Sequence, residues 1–178
     1  FTSLGCPRNL VDTEVMLGIV LQAGYEITEK VEEADYLVIN TCGFLAAARQ
    51  EGYDVLDEII EQKRPEAKVI ATGCMVQKHT EELKDDFPEI HYFLGSGNVD
   101  AILEAIESQE GGERITSSKS YLEMGEVPRL PSTPKHYAYL KIAEGCRKRC
   151  SYCIIPNIKG QLRSKSKEQI VKEFKSLL

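Results

Sequence analysis

A run of apolar residues that ends in a cysteine, Tyr36-Leu-Val-Ile-Asn-Thr-Cys-Gly43, sets the architecture of this chain. The same arrangement occurs in Phe1-Thr-Ser-Leu-Gly-Cys6 and in Val69-Ile-Ala-Thr-Gly-Cys74. Short apolar runs bounded by turn residues are typical of strands that are buried on both faces of a parallel sheet. We therefore predict strands over residues 1–4, 36–40, 69–72 and 92–94.

Helical patterns separate these strands. Apolar residues are interleaved with polar ones over residues 11–23, and a second amphipathic stretch, residues 44–63, ends before Pro65. Shorter helices are predicted over residues 80–87 and 99–107, the last with Asn98 as its N-cap. Strands that alternate with helices predict an α/β fold with a doubly wound, mostly parallel sheet.

The composition places the chain among ordinary globular proteins. Of its 178 residues, 42% are hydrophobic and 28% are charged, which excludes a collagen-like or disordered chain. No apolar run approaches the roughly 18 residues of a membrane span, and no leader opens the chain. We therefore expect a cytoplasmic protein with no membrane partner. Because the chain starts at Phe1 rather than at Met, we also expect it to be a fragment.

Beyond residue 110 the strand and helix pattern lapses. Gly, Ser and Pro punctuate residues 111–135, which predicts a linker between a first domain over residues 1–110 and a second over residues 136–178. In the second domain we predict a strand over residues 137–143, a loop over 144–165 and a helix over 166–178, capped by Ser166. One strand and one helix cannot close a domain, so the second domain is expected to be incomplete.

The charge divides the chain in the same place. Residues 1–134 carry 11 Lys and Arg against 25 Asp and Glu, a net charge of −14, while residues 135–178 carry 11 basic and 3 acidic residues, a net charge of +8. A strongly acidic domain repels phosphate backbones and favours a basic partner. A solvated acidic surface without any partner is the alternative interpretation.

The first three cysteines, Cys6, Cys42 and Cys74, are called the first trio below. Each follows a predicted strand, and the separations of 36 and 32 residues fit one strand and helix each. Because parallel strands end at the same edge of a sheet, we expect the three thiols to meet there, where open α/β folds bind ligands. Three buried cysteines that pack as small apolar side chains are the alternative.

The last three cysteines are compact, and Cys146, Cys150 and Cys153 are called the second trio. The run Cys146-Arg-Lys-Arg-Cys-Ser-Tyr-Cys153 places three thiols within eight residues, among cations that favour thiolates. Three soft thiolates suit an iron-sulfur cluster with one iron left open, or zinc completed by a histidine. The zinc alternative is weaker because His136 precedes the predicted strand, and a thioredoxin-like pair at Cys150 and Cys153 leaves Cys146 unused.

Three further features have modest interpretations. The turn Gly95-Ser-Gly-Asn98 lacks the third glycine of a phosphate-binding loop and is predicted to be a turn with a cap. The three histidines, His79, His91 and His136, are expected to be solvated or hydrogen-bonded rather than ligands. The cations near the second trio could attract substrate or close the loop, or form a basic surface: Lys159, Arg163, Lys165 and Lys167.

These motifs resemble one enzyme family. The second trio, within Lys141-Ile-Ala-Glu-Gly-Cys146 and Cys150-Ser-Tyr-Cys-Ile-Ile-Pro156, is similar to the signature of radical S-adenosylmethionine enzymes, in their methylthiotransferase branch. Upstream, Ser3-Leu-Gly-Cys-Pro-Arg-Asn-Leu-Val-Asp-Thr-Glu14, Asn40-Thr-Cys-Gly-Phe44 and Thr72-Gly-Cys74 resemble the amino-terminal methylthiotransferase domain. The resemblance covers nearly the whole chain. Arg8 and Arg147 depart from the common pattern, and neither departure removes a cysteine.

The resemblance implies two [4Fe-4S] clusters and S-adenosylmethionine as cofactors. Cys146, Cys150 and Cys153 would hold the cluster whose open iron binds S-adenosylmethionine, with Tyr152 against the adenine. Reductive cleavage of this cofactor would give a radical that takes hydrogen from an unactivated carbon. Cys6, Cys42 and Cys74 would hold the second cluster, which delivers sulfur. The domain after residue 135 would be the start of a (β/α) barrel, so we expect this chain alone to be inactive.

Within the family, the first motif and His136-Tyr-Ala-Tyr-Leu-Lys-Ile-Ala-Glu-Gly145 resemble the enzymes that modify a ribosomal protein. The implied reaction is β-methylthiolation of an aspartate in ribosomal protein twelve of the small subunit, with an electron donor protein as a second partner. Transfer RNA is disfavoured by the acidic first domain. The alternatives are the same chemistry on transfer-RNA adenosine, and a non-catalytic iron-sulfur or zinc-binding module.

Overall fold

The computed structural model describes residues 1–116, 121–123, 125 and 127–178. Five parallel strands form one sheet in the order in which they occur along the chain. They are β1 (Thr2–Ser3), β2 (Tyr36–Thr41), β3 (Lys68–Gly73), β4 (Ile90–Gly95) and β5 (Gly112–Arg114). The predicted α/β class with a parallel sheet is confirmed.

Helices cover both faces of this sheet. They are α1 (Pro7–Gln22), α2 (Ala46–Gln62), α3 (Cys74–Asp86) and α4 (Ile102–Glu107), with 3-10 turns over Val31–Glu33 and Val99–Ala101. Val38 and Ile70 pack with α1 and α4 on one face, and Ile39 and Val69 pack with α2 and α3 on the other. Because neighbouring strand residues point to opposite faces and both faces are covered, the strands are continuously apolar, as the sequence indicated.

Two helices begin earlier than the sequence predicted. Helix α1 starts at Pro7, directly after Cys6, because proline suits the first turn, where no backbone N–H bond is needed. Helix α3 starts at Cys74 and is kinked at His79 (φ −122°, ψ 33°), so the predicted start at residue 80 marks only its second half. As a result, Cys6 and Cys74 lie at the beginnings of helices rather than in long loops.

Much of the predicted linker packs against the first domain. Strand β5 pairs with β4, and Tyr121 and Leu122, in a 3-10 turn over Tyr121–Glu123, are buried in the core that contains α1 and α4. Further along, the backbone N–H of Leu130 donates to the carbonyl of Glu14 at 2.9 Å. The serines at 117, 118 and 120 lie outside the described residues. The domain boundaries at 110 and 135 stay a prediction.

The predicted strand over residues 137–143 is wrong. Only its last residue belongs to a strand, β6 (Ala143–Glu144), which pairs antiparallel with β7 (Arg163–Ser164). Tyr137 and Tyr139 are exposed, and in the described chain no strand pairs with residues 137–142. An alternating pattern forms a strand only where a partner strand satisfies its backbone groups.

The remaining elements are α5 (Ile155–Lys159) and α6 (Lys167–Ser176). Helix α6 opens with the predicted cap: the Ser166 hydroxyl accepts from the Gln169 backbone N–H at 3.2 Å, and the Gln169 side chain accepts from the Ser166 N–H at 3.0 Å. Of the helices described, none combines the length and the apolar character needed to cross a lipid bilayer.

Candidate functional site

The first trio lies at the carboxyl edge of the parallel sheet. Cys6 precedes α1, Cys42 follows β2, and Cys74 opens α3 directly after β3. The strands end in line, because Ser3 pairs with Asn40 and Thr41 pairs with Gly73. Cys6 is exposed, Cys42 is buried and Cys74 is half-buried. The edge therefore presents three thiols at different depths.

Glycines allow the loops of the first trio to approach each other closely. Gly5 has φ +87°, and a Cβ atom at this position would lie 2.5 Å from Cβ of Cys42. Gly73 has φ +101°, and a Cβ atom there would lie 2.4 Å from Oδ1 of Asn40. Both positions need glycine for its positive φ and for space. The loop before Cys6 is thus in contact with Cys42.

Two asparagines that the sequence analysis did not single out fasten this edge. The Asn9 side chain donates to the carbonyl of Thr41 at 3.0 Å, and the Asn40 side chain donates to the carbonyl of Asn9 at 2.9 Å. The Cys74 thiol lies 3.8 Å from Oδ1 of Asn9 as a weak donor. Both asparagines are buried. Their presence inside the cysteine motifs is the signal that could have identified them.

The three thiols are close enough to affect one another electrostatically. Burial raises the pKa of Cys74, and the nearby Lys159 ammonium partly offsets this increase. Cys42, Asp12 and Cys6 each raise the pKa of Cys74 further. The expectation that three thiols meet at one sheet edge agrees with this placement, and their role as ligands stays a prediction.

The donor set of the first trio is compatible with an iron-sulfur cluster. Among the described residues, no three His, Cys, Asp or Glu side chains converge as the ligands of one metal ion would. A [4Fe-4S] cluster binds each thiolate through a different iron, so its ligands stand further apart. Three cysteine sulfurs at a partly exposed sheet edge, with a cation nearby, are compatible with a [4Fe-4S] cluster.

The second trio lies in a loop between short elements. Cys146 follows β6, and Cys150 and Cys153 precede α5; Cys150 is exposed, and the other two are half-buried. The backbone N–H of Cys153 donates to the carbonyl of Cys150 at 3.1 Å, which closes a tight turn. An open cavity of about 1250 Å³ is lined by all three cysteines. Soft ligands around an open cavity are compatible with a cluster that also binds a small molecule.

Tyr152 does not line this cavity, and the residue is 90% exposed. The lining is instead basic, with Arg147, Lys148 and Arg163 among its residues. The role of Tyr152 beside an adenine ring stays a prediction.

Four buried charged side chains connect helix α1 to the residues on either side of the second trio. Lys141 lies 2.6 Å from Asp12 and 2.9 Å from Glu144, and Lys159 lies 3.4 Å from Asp12 and 3.1 Å from Glu144. We call this set of side chains the charge ring. The interpretation of Lys159 and Lys165 as a basic surface is wrong, because both are buried among acidic partners. Lys167 is exposed.

The turn near β4 and the histidines have local roles. The N–H of Asn98 donates to the carbonyl of Gly95 at 3.0 Å, which confirms the turn. The predicted cap is wrong, because the Asn98 side chain pairs with Thr116 at 2.8 and 2.9 Å instead. Nε2 of His79 lies 3.3 Å from Nη1 of Arg49, and its Nδ1 lies 3.0 Å from Oε2 of Glu82. Nε2 of His91 lies 2.9 Å from the carbonyl oxygen of Ser108. The ring of His136 packs edge-on against the ring of Tyr137, with 5.0 Å between the two centroids.

Comparisons with known proteins agree with these features. Residues 1–95 match the family described as uncharacterized protein family UPF0004. The whole chain is 70% identical to the ribosomal protein uS12 methylthiotransferase RimO of Chlamydia caviae and 66% identical to that of Protochlamydia amoebophila, and covers 38% of each. The RimO protein of Geotalea uraniireducens is 42% identical over 99% of the chain, which covers 40% of that protein. The chain thus spans about two fifths of the length of these curated relatives.

Proposed function

The chain belongs to the family described as uncharacterized protein family UPF0004, and we propose that it forms part of a radical S-adenosylmethionine methylthiotransferase that modifies an aspartate of ribosomal protein uS12. The observation that carries this proposal is that three cysteines from three separate elements lie at one sheet edge, where the strands end in line. The second trio lies in a C-x3-C-x2-C loop next to the charge ring, which includes Asp12 of α1. Two open thiolate sites on one chain suit an enzyme that needs two clusters.

Each cysteine has an assigned place in this proposal. Cys6, Cys42 and Cys74 would hold one [4Fe-4S] cluster, and Cys146, Cys150 and Cys153 would hold the other, each with one iron open to an exogenous ligand. When bound, these clusters and S-adenosylmethionine supply radical chemistry and sulfur for the replacement of a C–H bond by a C–S bond. The chain itself binds and orients: Asn9 and Asn40 fix the first edge, and the turn from Cys150 to Cys153 fixes the second loop.

The substrate assignment rests on the relatives and on charge. The relatives at 65–70% identity are named ribosomal protein uS12 methylthiotransferases. Residues 1–134 carry a net charge of −14, which favours a basic ribosomal protein over a polyanionic transfer RNA. The proposal includes an electron donor protein as the second partner, a cytoplasmic location, and a second domain after residue 135 that begins a radical S-adenosylmethionine barrel.

One anaerobic assay tests the proposed reaction. The full-length enzyme of which this chain forms part is reconstituted and incubated with reductant, S-adenosylmethionine and a sulfur source, together with either ribosomal protein uS12 or transfer RNA. We expect mass spectrometry to find a methylthio group on an aspartate of the ribosomal protein and none on transfer RNA. Modification of transfer-RNA adenosine with none on the ribosomal protein would overturn the substrate assignment. If neither the ribosomal protein nor transfer RNA is modified, the proposed activity is overturned.

A further inference from the structure

The charge ring is closed, neutral and nearly inaccessible to solvent. Each lysine forms an ion pair with both acids, so the four ion pairs make a closed cycle. Every side chain in the ring is at most 6% exposed. The carboxylates of Asp12 and Glu144 outweigh burial and raise the pKa of Lys159 above its ordinary value. Each of the four groups therefore has two partners of opposite formal charge.

A second group of ion pairs lies next to the charge ring and also involves helix α1. Arg129 lies 2.6 Å from Glu14 and 2.9 Å from Glu173, and Glu173 also pairs with Lys165. The Lys165 and Lys141 ammonium groups both face the ring of buried Tyr121, at 5.8 and 5.1 Å from its centroid. Charges of both signs are balanced here as well. The acidic helix α1 thus finds its basic partners inside the same chain.

The members of the ring stand close to both cysteine trios along the chain. Asp12 lies in α1, six residues after Cys6, and Glu144 lies two residues before Cys146. Lys159, at the end of α5, lies six residues after Cys153 and close enough to Cys74 to lower its pKa. The ring therefore connects the helix that follows Cys6 to both ends of the loop that carries the second trio.

Two other polar contacts between that loop and the first domain involve Ser96. The Ser96 hydroxyl donates to the carbonyl of Ile158 at 3.2 Å, and Nζ of Lys159 lies 3.5 Å from the Ser96 carbonyl. Around the loop, β6 and β7 contain only two residues each. Burying four charges gives little net stability compared with apolar side chains, but it strongly favours the one arrangement in which every charge is paired.

We propose that Asp12, Lys141, Glu144 and Lys159 are positioning residues that hold the second trio at a fixed distance from the first. The proposal rests on the proposed function, because fixed spacing matters where two clusters act on one carbon. If the two trios hold the proposed clusters, sulfur from the first and the radical generated at the second would have to reach the same atom. A ring that fixes one geometry provides this alignment before any substrate binds.

Distance measurement by electron paramagnetic resonance tests the proposal on the cluster-free intact protein. Spin labels are placed on Cys6 and Cys150, both exposed, with the other four cysteines replaced by alanine. With the ring intact, we expect a single narrow distance peak. The variant D12N/K159M removes one acid and one base, and we expect it to lose this narrow peak.

The matched control is K30M/E33Q, which removes an exposed pair on the surface and should leave the peak unchanged. If D12N/K159M does not fold, the variant D12N/K141M/E144Q/K159M removes all four charges and leaves none unpaired. A folded ring variant that keeps the narrow peak would overturn the proposal, and so would a broad distribution with the ring intact.

The outcome is separable from that of the proposed function. The labelled protein binds no cluster, so its distance distribution does not depend on iron or on activity. Failure of the methylthiolation assay with an intact narrow peak would remove the proposed function and leave the ring as a spacer. A narrow peak in the ring variants, with normal methylthiolation, would remove only the positioning role.

Discussion

The two cysteine trios occupy regions that obtain their geometry in different ways. Cys6, Cys42 and Cys74 are separated by 36 and 32 residues, and the ends of β1, β2 and β3 bring them to one edge. Cys146, Cys150 and Cys153 lie within eight residues, in a loop between β6 and α5, which have two and five residues. The first trio is arranged by a buried sheet, and the second by local sequence and by the charges that hold its loop.

This difference separates the interactions on which each trio depends. Packing on both faces of the sheet and the amide contacts of Asn9 and Asn40 support the first trio. The second trio depends on the charge ring, because its own loop contains little regular structure. Changes to the ring and changes at the sheet edge should therefore affect the two trios unequally.

The largest effect is expected when the charge ring is opened. Asp12→Ala leaves Lys141 and Lys159 to share Glu144 in a buried site, which we expect to cost about 3–5 kcal/mol of unfolding free energy. Glu33→Ala, which removes an exposed partner of Lys30, should cost at most about 1 kcal/mol. Urea unfolding of both variants measures the difference, and equal costs would show that the ring is not tightly paired.

A smaller effect is expected at the sheet edge. Gly5→Ala forces a side chain into a positive φ and against Cys42, and we expect it to cost about 2–3 kcal/mol. Gly24→Ala has a similar φ but open space around it, and should cost about 1 kcal/mol. Thermal unfolding compares the two variants. Equal losses would mean that contact with Cys42 does not constrain the edge.

We expect ionisation of Tyr121, whose ring faces the ammonium groups of Lys141 and Lys165, to change the free energy of unfolding by about 1 kcal/mol. Burial raises its pKa well above the ordinary value, and the carboxylates of Asp12 and Glu144 add to the increase. Above about pH 10 the unfolded chain loses this proton while the folded chain keeps it, so stability falls as pH rises. Tyr121→Phe should reduce the loss of stability between pH 8 and pH 10.5.

Exposed Tyr139 provides the control for this pH dependence. Urea unfolding of Tyr139→Phe at the same two pH values should follow the unsubstituted protein. If Tyr121→Phe also follows it, the buried hydroxyl does not contribute to the alkaline loss.

The smallest effect is expected on the reactivity of Cys74. Lys159 lowers the pKa of this thiol, so Lys159→Gln should raise the pKa and decrease the thiolate fraction. We expect alkylation of Cys74 at pH 8 to slow by about threefold, measured by mass spectrometry of its peptide. Lys84→Gln changes a half-buried cation further along the same helix, paired with Glu81, and should leave the rate unchanged. Unchanged or faster alkylation in Lys159→Gln would contradict the electrostatic link between the regions.

The sequence predicted the sheet and the position of the first trio because both follow from local patterns. An apolar run followed by Gly or Thr and Cys indicates where a buried strand ends, and parallel strands end together. The early starts of α1 and α3 were missed because neither helix has a side-chain cap hydrogen bond to mark its beginning. The Asn98 cap failed because Thr116, 18 residues away, competes for its amide.

The burial of Lys159 could not be predicted from its neighbours in sequence. One acidic partner, Asp12, lies 147 residues earlier, and the surrounding stretch is basic, which is typical of a solvated surface. The strand over residues 137–143 failed for a related reason. Its alternation is local, whereas strand formation depends on a partner elsewhere in the chain.

Iron and sulfide analysis of the anaerobically reconstituted intact protein tests most directly whether the two trios hold separate clusters. We predict about eight iron atoms per molecule of the complete protein, and about half of them after either Cys6→Ala or Cys150→Ala, since each variant removes a ligand from one trio only. Near-stoichiometric zinc with no iron would contradict the account. So would a single substitution that removes all the iron, because the two trios would then form one site.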